Sequence, residues 1–310
     1  MSNRKHLLAS LVATIFAAPI AGLAQTAPAP AAPPPSDHTF TANVALASQY
    51  IFRGLTQTNE KPAIQGGFDY SHSSGVYVGT WLSNISWFTD TNVGSLAAPA
   101  TLGGLPRGVS ASLEWDIYGG YKGTFATDWA YDVGFLHYEY PGKYDGLTRA
   151  TPVKPNTDEV YGLIGWKWAT LKYSYSIGDT FGLNDSSGSF YVDASINYPI
   201  PDTPVTVIAH VGKQKFKGRS DFLKNLNGTP AVSFDNDAFT YTDWKLGAAL
   251  DLSGVAPQLK GATLTAYFTG TDADDSTVDA FTGTAIPIWQ NAFGKNVGKG
   301  QFTVMFGKTF

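Results

Sequence analysis

Apolar and polar residues alternate along most of the chain beyond residue 38, which is the period of a β-strand with two different faces. In the first segment, Phe40, Val44 and Leu46 lie on one face, while Thr41 and Asn43 lie on the other. Segments of this kind recur, with Gly, Pro, Asn and Asp between them. The pattern predicts twelve strands, near residues 39–53, 62–71, 76–87, 110–121, 128–140, 158–168, 170–178, 189–198, 205–214, 239–252, 262–271 and 300–310.

The predicted connections alternate between short and long. Those after strands two, four, six and eight are short (72–75, 122–127, the junction at 169, and 199–204), and the turn 253–261 is longer. Those after strands three, five, nine and eleven are long, at residues 88–109, 141–157, 215–238 and 272–299. An even number of strands with two classes of connection is typical of outer-membrane barrels. Residues 39–310 are therefore predicted to form an all-β fold, a transmembrane antiparallel up-and-down β-barrel with short periplasmic turns and long extracellular loops.

The composition agrees with a barrel in a membrane. Charged residues make up 15% of the chain and aromatic residues 14%, whereas soluble domains carry about 25% charged residues. Beyond residue 24, no apolar run approaches the roughly 20 residues of a membrane-spanning helix. The chain has no cysteine, which excludes disulfides, thiolate metal sites and a cysteine nucleophile. No metal or cofactor is predicted, and the net charge of −4 argues against a nucleic-acid partner.

Both ends of the sequence show patterns typical of an exported outer-membrane protein. Arg4 and Lys5 precede an apolar stretch and small residues, so residues 1–24 are predicted to be a signal peptide and residues 25–38 a Pro/Ala-rich linker. At the other end, Phe306 and Phe310 end an alternating aromatic strand, and we predict that the barrel assembly machinery reads them. The expected location is the outer membrane of a Gram-negative bacterium, among lipid and lipopolysaccharide.

Several segments resemble one known family. They are residues 48–58 (SQYIFRGLTQT), 61–70 (KPAIQGGFDY), 79–84 (GTWLSN), 192–199 (VDASINYP) and 307–310 (GKTF). With these segments the chain resembles the TorF-type putative porins of proteobacteria, most densely over the first three predicted strands. The resemblance implies an outer-membrane barrel with porin function, and it supplies no substrate.

If the large apolar residues face lipid, the charged residues of the opposite face line a pore. The basic candidates are Arg53, Lys167, Lys172 and Lys245, and the acidic ones are Asp69, Glu114, Asp116, Asp132, Glu159, Asp193, Asp243 and Asp251. This acidic excess favours small cations and neutral or zwitterionic solutes over anions. Tyr118, Tyr161, Tyr191 and Tyr267 share that face, where they would either stack against a solute or fill space. The predicted function is passive diffusion of small polar solutes.

Two alternatives remain open at this stage. In the first, the lumenal charges pair across the barrel and close it, so that the protein is a structural or surface-binding barrel. A barrel of twelve strands is intermediate in size between eight-stranded barrels filled by side chains and sixteen-stranded barrels with an open channel. In the second, the barrel is an outer-membrane hydrolase, which needs Ser or Asn within hydrogen-bond reach of His137 or His210. The sequence alone shows no such partner, so we do not predict an enzyme.

Other features are expected at the two rims. Trp129, Trp166 and Trp168 are predicted at the periplasmic aromatic girdle, with Trp81 and Trp87 at the outer one. Lys213, Lys215 and Lys217 are in phase with outward-facing valines, which is consistent either with contact with lipopolysaccharide phosphates or with a plain hydrated rim. The acidic run at residues 272–279 lacks the Gly and Glu of a calcium loop, so we expect a solvated loop there.

Overall fold

The computed structural model describes residues 36–90, 110–144, 154–224, 230–278, 283, 285–291 and 293–310. The predicted signal peptide 1–24 and most of the predicted linker 25–38 lie outside the described residues. Within the described segments, no helix combines the length and the apolar character needed to cross a bilayer.

Twelve antiparallel strands close into a barrel in sequence order. The strands are β1 (His38–Ala47), β2 (Ala63–His72), β3 (Val76–Asn84), β4 (Leu113–Ala126), β5 (Trp129–Glu139), β6 (Thr157–Trp166), β7 (Ala169–Ser176), β8 (Phe190–Pro199), β9 (Val205–Lys215), β10 (Tyr241–Asp251), β11 (Ala262–Thr271) and β12 (Gln301–Thr309). The barrel closes where β1 pairs with β12, in a register that sets Asn43 opposite Thr309. The predicted fold class and strand number are confirmed.

The two ends of the barrel differ in their connections. The end that we call the turn side carries residues 73–75, 127–128, 167–168, 200–204 and 252–261. The other end, the loop side, carries the longer connections 48–62, 85–112, 140–156, 177–189, 216–240 and 272–300. Asp128 and Lys167 form parts of the two tightest turns and have positive φ angles of 67° and 51°. The chain enters and leaves the barrel at the turn side.

The period of two places large apolar side chains on the outside of the barrel and polar ones inside. Leu246 of β10 is 58% exposed, and Phe68 and Phe302 are 50% exposed. In contrast, Glu114 and Glu159 are 1% exposed on the inner face. A continuous apolar outer surface of this kind is expected where a protein meets lipid or another protein.

Tryptophans gather at the turn-side rim. The rings of Trp129 and Trp166 lie 6.4 Å apart, those of Trp166 and Trp168 6.1 Å, and those of Trp168 and Tyr198 5.4 Å. Trp129 and Trp166 are also exposed on the outer surface. This is the arrangement predicted for one aromatic girdle.

The prediction for Trp81 and Trp87 was wrong. Trp81 is 7% exposed and packs inside the barrel against Tyr50, because it is in phase with the inward residues of β3. Trp87 begins a short helix, Trp87–Asp90, after β3 has ended. Its ring packs on Tyr140 at 5.7 Å.

The first strand is shorter than the pattern predicts. β1 ends at Ala47 instead of continuing to residue 53, and the chain then turns into the barrel. Ile51–Phe52 pairs with Leu55–Thr56 around a turn at Arg53 and Gly54, whose φ angles are 45° and 79°. We call residues 50–57 the lumenal hairpin. Tyr50 and Phe52 keep the apolar phase of β1, with Gln49 and Arg53 in the polar phase, although this segment lies inside the barrel.

Candidate functional site

The lumenal hairpin crosses the interior of the barrel and contacts strands on opposite walls. The Tyr50 hydroxyl donates a 2.6 Å hydrogen bond to Glu114 Oε1 on β4. Phe52 packs edge-on against Tyr138 of β5, with ring centroids 5.7 Å apart. Thr56 N donates to the carbonyl of Val297, in the connection that leads into β12. The hairpin is therefore the main obstruction among the described residues of the lumen.

Arg53 is the anchor at the tip of this hairpin. Its Nη2 donates to both carboxylate oxygens of Glu159, at 2.8 and 3.0 Å, and its Nη1 donates to Gln214 Oε1 at 2.6 Å. The guanidinium also lies 4.3 Å from the ring centroid of Tyr191. The side chains of Arg53 and Glu159 are 8% and 1% exposed. A planar guanidinium can bond Glu159 through one nitrogen and Gln214 through the other while it stacks on the Tyr191 ring. An ammonium group does not reproduce this combination.

Gly54 lets the tip come close to the opposite wall. A Cβ at this position would lie 2.5 Å from Thr271 Cγ2 on β11 and 2.6 Å from Asp243 Cβ on β10. Its φ of 79° also favours glycine. The pair Arg53-Gly54 thus combines a charged anchor with a close contact to the opposite wall.

Two cavities lie on either side of the hairpin. The loop-side cavity has a volume of about 180 Å³ and is bounded by Phe52 and Leu55 of the hairpin together with residues of the long connections. The turn-side cavity has a volume of about 250 Å³ and is bounded by Arg53, Lys172, Asp193, His210 and Lys245 among others. Arg53 borders the second cavity, while its neighbour Phe52 borders both.

The structure places the predicted pore-lining residues as follows. Glu114, Asp116, Glu159, Asp193 and Asp243 are buried on the inner face, as are Asp132 and Lys172. Asp69 accepts a 2.6 Å hydrogen bond from Tyr118, and Asp132 accepts one of 2.6 Å from Tyr77. Lys172 lies over the Tyr161 ring at 4.2 Å, and Lys245 lies over the Tyr267 ring at 4.8 Å. Asp251 ends β10 at the turn-side rim, where it accepts from Ser253 N.

Lys167 requires a correction. It lies in the turn between β6 and β7, where its side chain is 46% exposed and is 3.9 Å from Asp128. The sequence pattern extended strand six to residue 168, although β6 ends at Trp166 because the chain reverses within two residues.

Lys122 is a lumenal residue that was not predicted from the sequence. β4 continues to Ala126, beyond the predicted end, and the Lys122 ammonium lies 4.9 Å from the Tyr77 ring centroid. Lys122 is separated from Glu114 and Asp116 by an even number of positions in the sequence, so the three side chains lie on the same, inward face of β4. Among the described residues, Lys122 replaces Lys167 in the lumenal set, which keeps four basic and eight acidic side chains on the inner side.

His210 lies in a polar network formed by three adjacent strands. Ser195 Oγ on β8 is 2.8 Å from His210 Nδ1, and Asp243 Oδ1 on β10 is 3.0 Å from His210 Nε2. The Tyr191 hydroxyl is 2.8 Å from His210 Nε2 and donates to Asp243 Oδ2 at 2.8 Å. Tyr191 reaches this position because it lies over Gly212, where a Cβ would be 2.0 Å from its hydroxyl. No sequence pattern predicted the contact of His210 with Ser195, although these two residues are register partners.

The other histidine of the hydrolase alternative has different partners. His137 Nδ1 is 2.7 Å from Asp158 Oδ1, and its Nε2 is 3.2 Å from Glu139 Oε2. Among the described residues, His137 has no hydrogen bond to a Ser or an Asn. Glu139 also bonds Lys154 and Asn156, so the cluster resembles a surface charge network.

The predicted surface residues lie outside the lumen. Phe306 and Phe310 are exposed on the outer face, at 38% and 68%. Lys213 is exposed at the loop-side end of β9, and Lys217 follows the strand. Lys215 bonds the carboxylate of Asp237, and this hydrogen bond lowers the pKa of Asp237 below its ordinary value. Lys215 is therefore less available for an external phosphate than its neighbours.

The sequence of residues 31–310 matches a family model described as a bacterial protein of unknown function (Gcw_chp). The chain belongs to this family. Since the match includes all twelve strands, the lumenal hairpin and the lumenal charges lie within the region that defines the family. A search of curated proteins finds no match.

Solved structures similar to this chain share little sequence with it. A KdgM porin is 6% identical, with 87% of this chain and 98% of that chain covered and a TM-score of 0.44. The outer membrane protein OprD from Pseudomonas aeruginosa is 12% identical, with 81% and 59% covered and a TM-score of 0.37. LpxR from Salmonella typhimurium is 7% identical, with 87% and 99% covered and a TM-score of 0.40.

Proposed function

We propose that the chain is an outer-membrane porin of the TorF type, through which small solutes diffuse past the lumenal hairpin. The observation that carries this proposal is the pair of cavities separated by the hairpin inside a closed barrel. The apolar outer surface suits lipid, and the charged inner surface suits water and polar solutes. Residues 1–24 serve as the signal peptide in this proposal, and Phe306 and Phe310 serve as the signal for the barrel assembly machinery.

The proposed solute preference follows from the charges beside the path. Eight acidic and four basic side chains lie on the inner side among the described residues, which favours small cations and neutral or zwitterionic solutes. Arg53 opposes this preference locally, because it sits at the narrow point. Its charge is paired with Glu159 at 2.8 Å, so the net field at the constriction is set by the remaining acidic groups.

Conductance measurements test the proposal. The refolded mature protein is placed in a planar bilayer with a salt gradient, and single-channel currents and the reversal potential are recorded. Discrete current steps with cation preference support the porin and its acidic lumen. Discrete steps with anion preference retain the channel and reject the proposed selectivity. A folded, heat-modifiable barrel that conducts no current rejects the channel and favours the plugged alternative, held shut by Arg53 and Glu159.

A lumenal hydrolase is the second candidate, because Ser195, His210 and Asp243 form a hydrogen-bonded relay of the kind that activates a serine. Two features weaken it. Ser195 Oγ also donates to Asp193 Oδ1 at 3.2 Å, and a hydroxyl proton that is donated to Asp193 is not donated to His210. In addition, β8 is paired on both sides at Ser195, so nearby backbone N–H groups already donate within the sheet and are not free to stabilise an oxyanion.

Labelling with a fluorophosphonate probe separates the two candidates. The porin proposal predicts that the probe labels Ser195 no faster than Ser174. Ser174 is another lumenal serine, and among the described residues it has no hydrogen bond to a histidine. Intact-mass and peptide analysis would locate the label. Rapid labelling that disappears in the Ser195→Ala variant, with unchanged heat modifiability, would establish an activated serine.

A further inference from the structure

The loop-side cavity differs from the rest of the lumen in its chemistry. Aromatic residues from separate segments border it, including Phe52 of the hairpin and Trp289 of the last connection. The rings of Trp289 and Phe239 lie 5.4 Å apart at 82°, and those of Trp289 and Tyr241 lie 5.3 Å apart at 82°. Leu183 and Val297 add aliphatic surface. A water-filled entrance would not require such a wall, since polar side chains suffice for ions and small polar solutes.

The size of the cavity limits what it can hold. Its volume is about 180 Å³, and an engineered apolar cavity of about 150 Å³ is known to hold one benzene molecule. One six-membered ring with a small substituent therefore fits.

Polar groups at the wall set a second requirement. The indole Nε1 atoms of Trp87 and Trp289 are buried and have no hydrogen-bond acceptor among the described residues. Both residues border the cavity, as do the side chains of Gln57 and Gln214. A buried donor without an acceptor is unfavourable. A ligand with a hydroxyl or carbonyl oxygen next to its ring offers an acceptor to these donors, after small adjustments of the indoles.

We propose that the loop-side cavity is a binding site for a small neutral aromatic solute, one ring bearing an oxygen substituent. The solute enters from the loop side and rests on the lumenal hairpin at Phe52 and Leu55. This proposal rests on the proposed porin function for the direction of transport, whereas binding itself depends only on the folded barrel.

Binding of phenol to the refolded protein in detergent tests the site. We expect saturable quenching of tryptophan fluorescence, confirmed by calorimetry, and much weaker binding of cyclohexane-1,2-diol, which has oxygen atoms but no aromatic ring. Val297→Phe places a larger side chain at the cavity wall and should weaken phenol binding at least about tenfold. Val255→Phe makes the same change on an exposed turn-side residue, 70% exposed, and should leave binding unchanged.

Conductance distinguishes failure of the site from failure of the channel. In an active channel, phenol added to the loop side should produce brief interruptions of the current, and these should be rare in Val297→Phe. A protein that binds phenol and conducts no current retains the site and overturns the porin. Absent binding, or equal binding by wild type and a correctly folded Val297→Phe variant, overturns the site whatever the conductance.

Discussion

The Arg53→Ala variant is expected to carry several-fold more current per channel than the wild-type protein and to show stronger cation preference. Arg53 fastens the tip of the lumenal hairpin through Glu159 and Gln214, and its removal leaves the carboxylate of Glu159 without its basic partner. A buried carboxylate without a charged partner is strongly unfavourable, so we expect water to enter and hydrate Glu159. We therefore expect the hairpin to detach from this wall, so that the loop-side and turn-side cavities become continuous.

Single-channel recording in a salt gradient measures both effects. Arg53→Lys keeps the positive charge but loses the simultaneous bonds to Glu159 and Gln214 and the stacking on Tyr191, so an intermediate conductance is expected. Lys213→Ala is the matched control, because it removes one positive charge from the exposed end of β9. If Arg53→Ala conducts and selects like the wild type, the hairpin is not the constriction.

The Asp193→Asn/Asp243→Asn variant should lose much of the preference for cations. Both carboxylates are buried on the inner wall, at 3% and 1% exposure, and both border the turn-side cavity. Their replacement halves the acidic excess of the lumen from four to two, and the ratio of potassium to chloride permeability should fall by about half. The side chains keep nearly the same shape, so conductance should change less than selectivity.

The reversal potential in a potassium chloride gradient gives this ratio directly. The control is Asp202→Asn/Asp274→Asn, which removes the same number of charges from exposed residues outside the inner wall. An unchanged ratio in the lumenal variant, together with normal heat modifiability, would mean that these carboxylates do not face the permeation path. The acidic-lumen hypothesis would then be rejected.

Local alternation predicted the barrel well because each strand has two environments and a fixed period of two. The strands from Ala63–His72 to Gln301–Thr309 all appear close to their predicted positions. The period of two also predicted that the carboxylates of Glu114, Asp116 and Glu159 face the lumen. Lys122 was missed only because the end of β4 was placed too early, and strand ends depend on turn geometry that alternation does not encode.

The lumenal hairpin could not be predicted in this way. Tyr50 and Phe52 keep the apolar phase of β1, and this pattern is the same whether such a segment faces lipid or crosses a lumen. Its inward path depends on contacts with residues far away in sequence, above all Arg53 with Glu159 and Gln214. The close approach of Gly54 to Thr271 and Asp243 is equally distant in sequence.

The sequence by itself therefore determined the fold class, the strand number, the two kinds of connection and the acidic character of the inner face, because all of these follow from local period and composition. Only the tertiary structure decided where the lumen narrows, that Ser195, His210 and Asp243 meet, and that aromatic residues from separate connections enclose one cavity. The relay of Ser195, His210 and Asp243 depends on the register of three adjacent strands. The constriction and the cavity depend on barrel closure, which brings together side chains from strands and loops that share no local pattern.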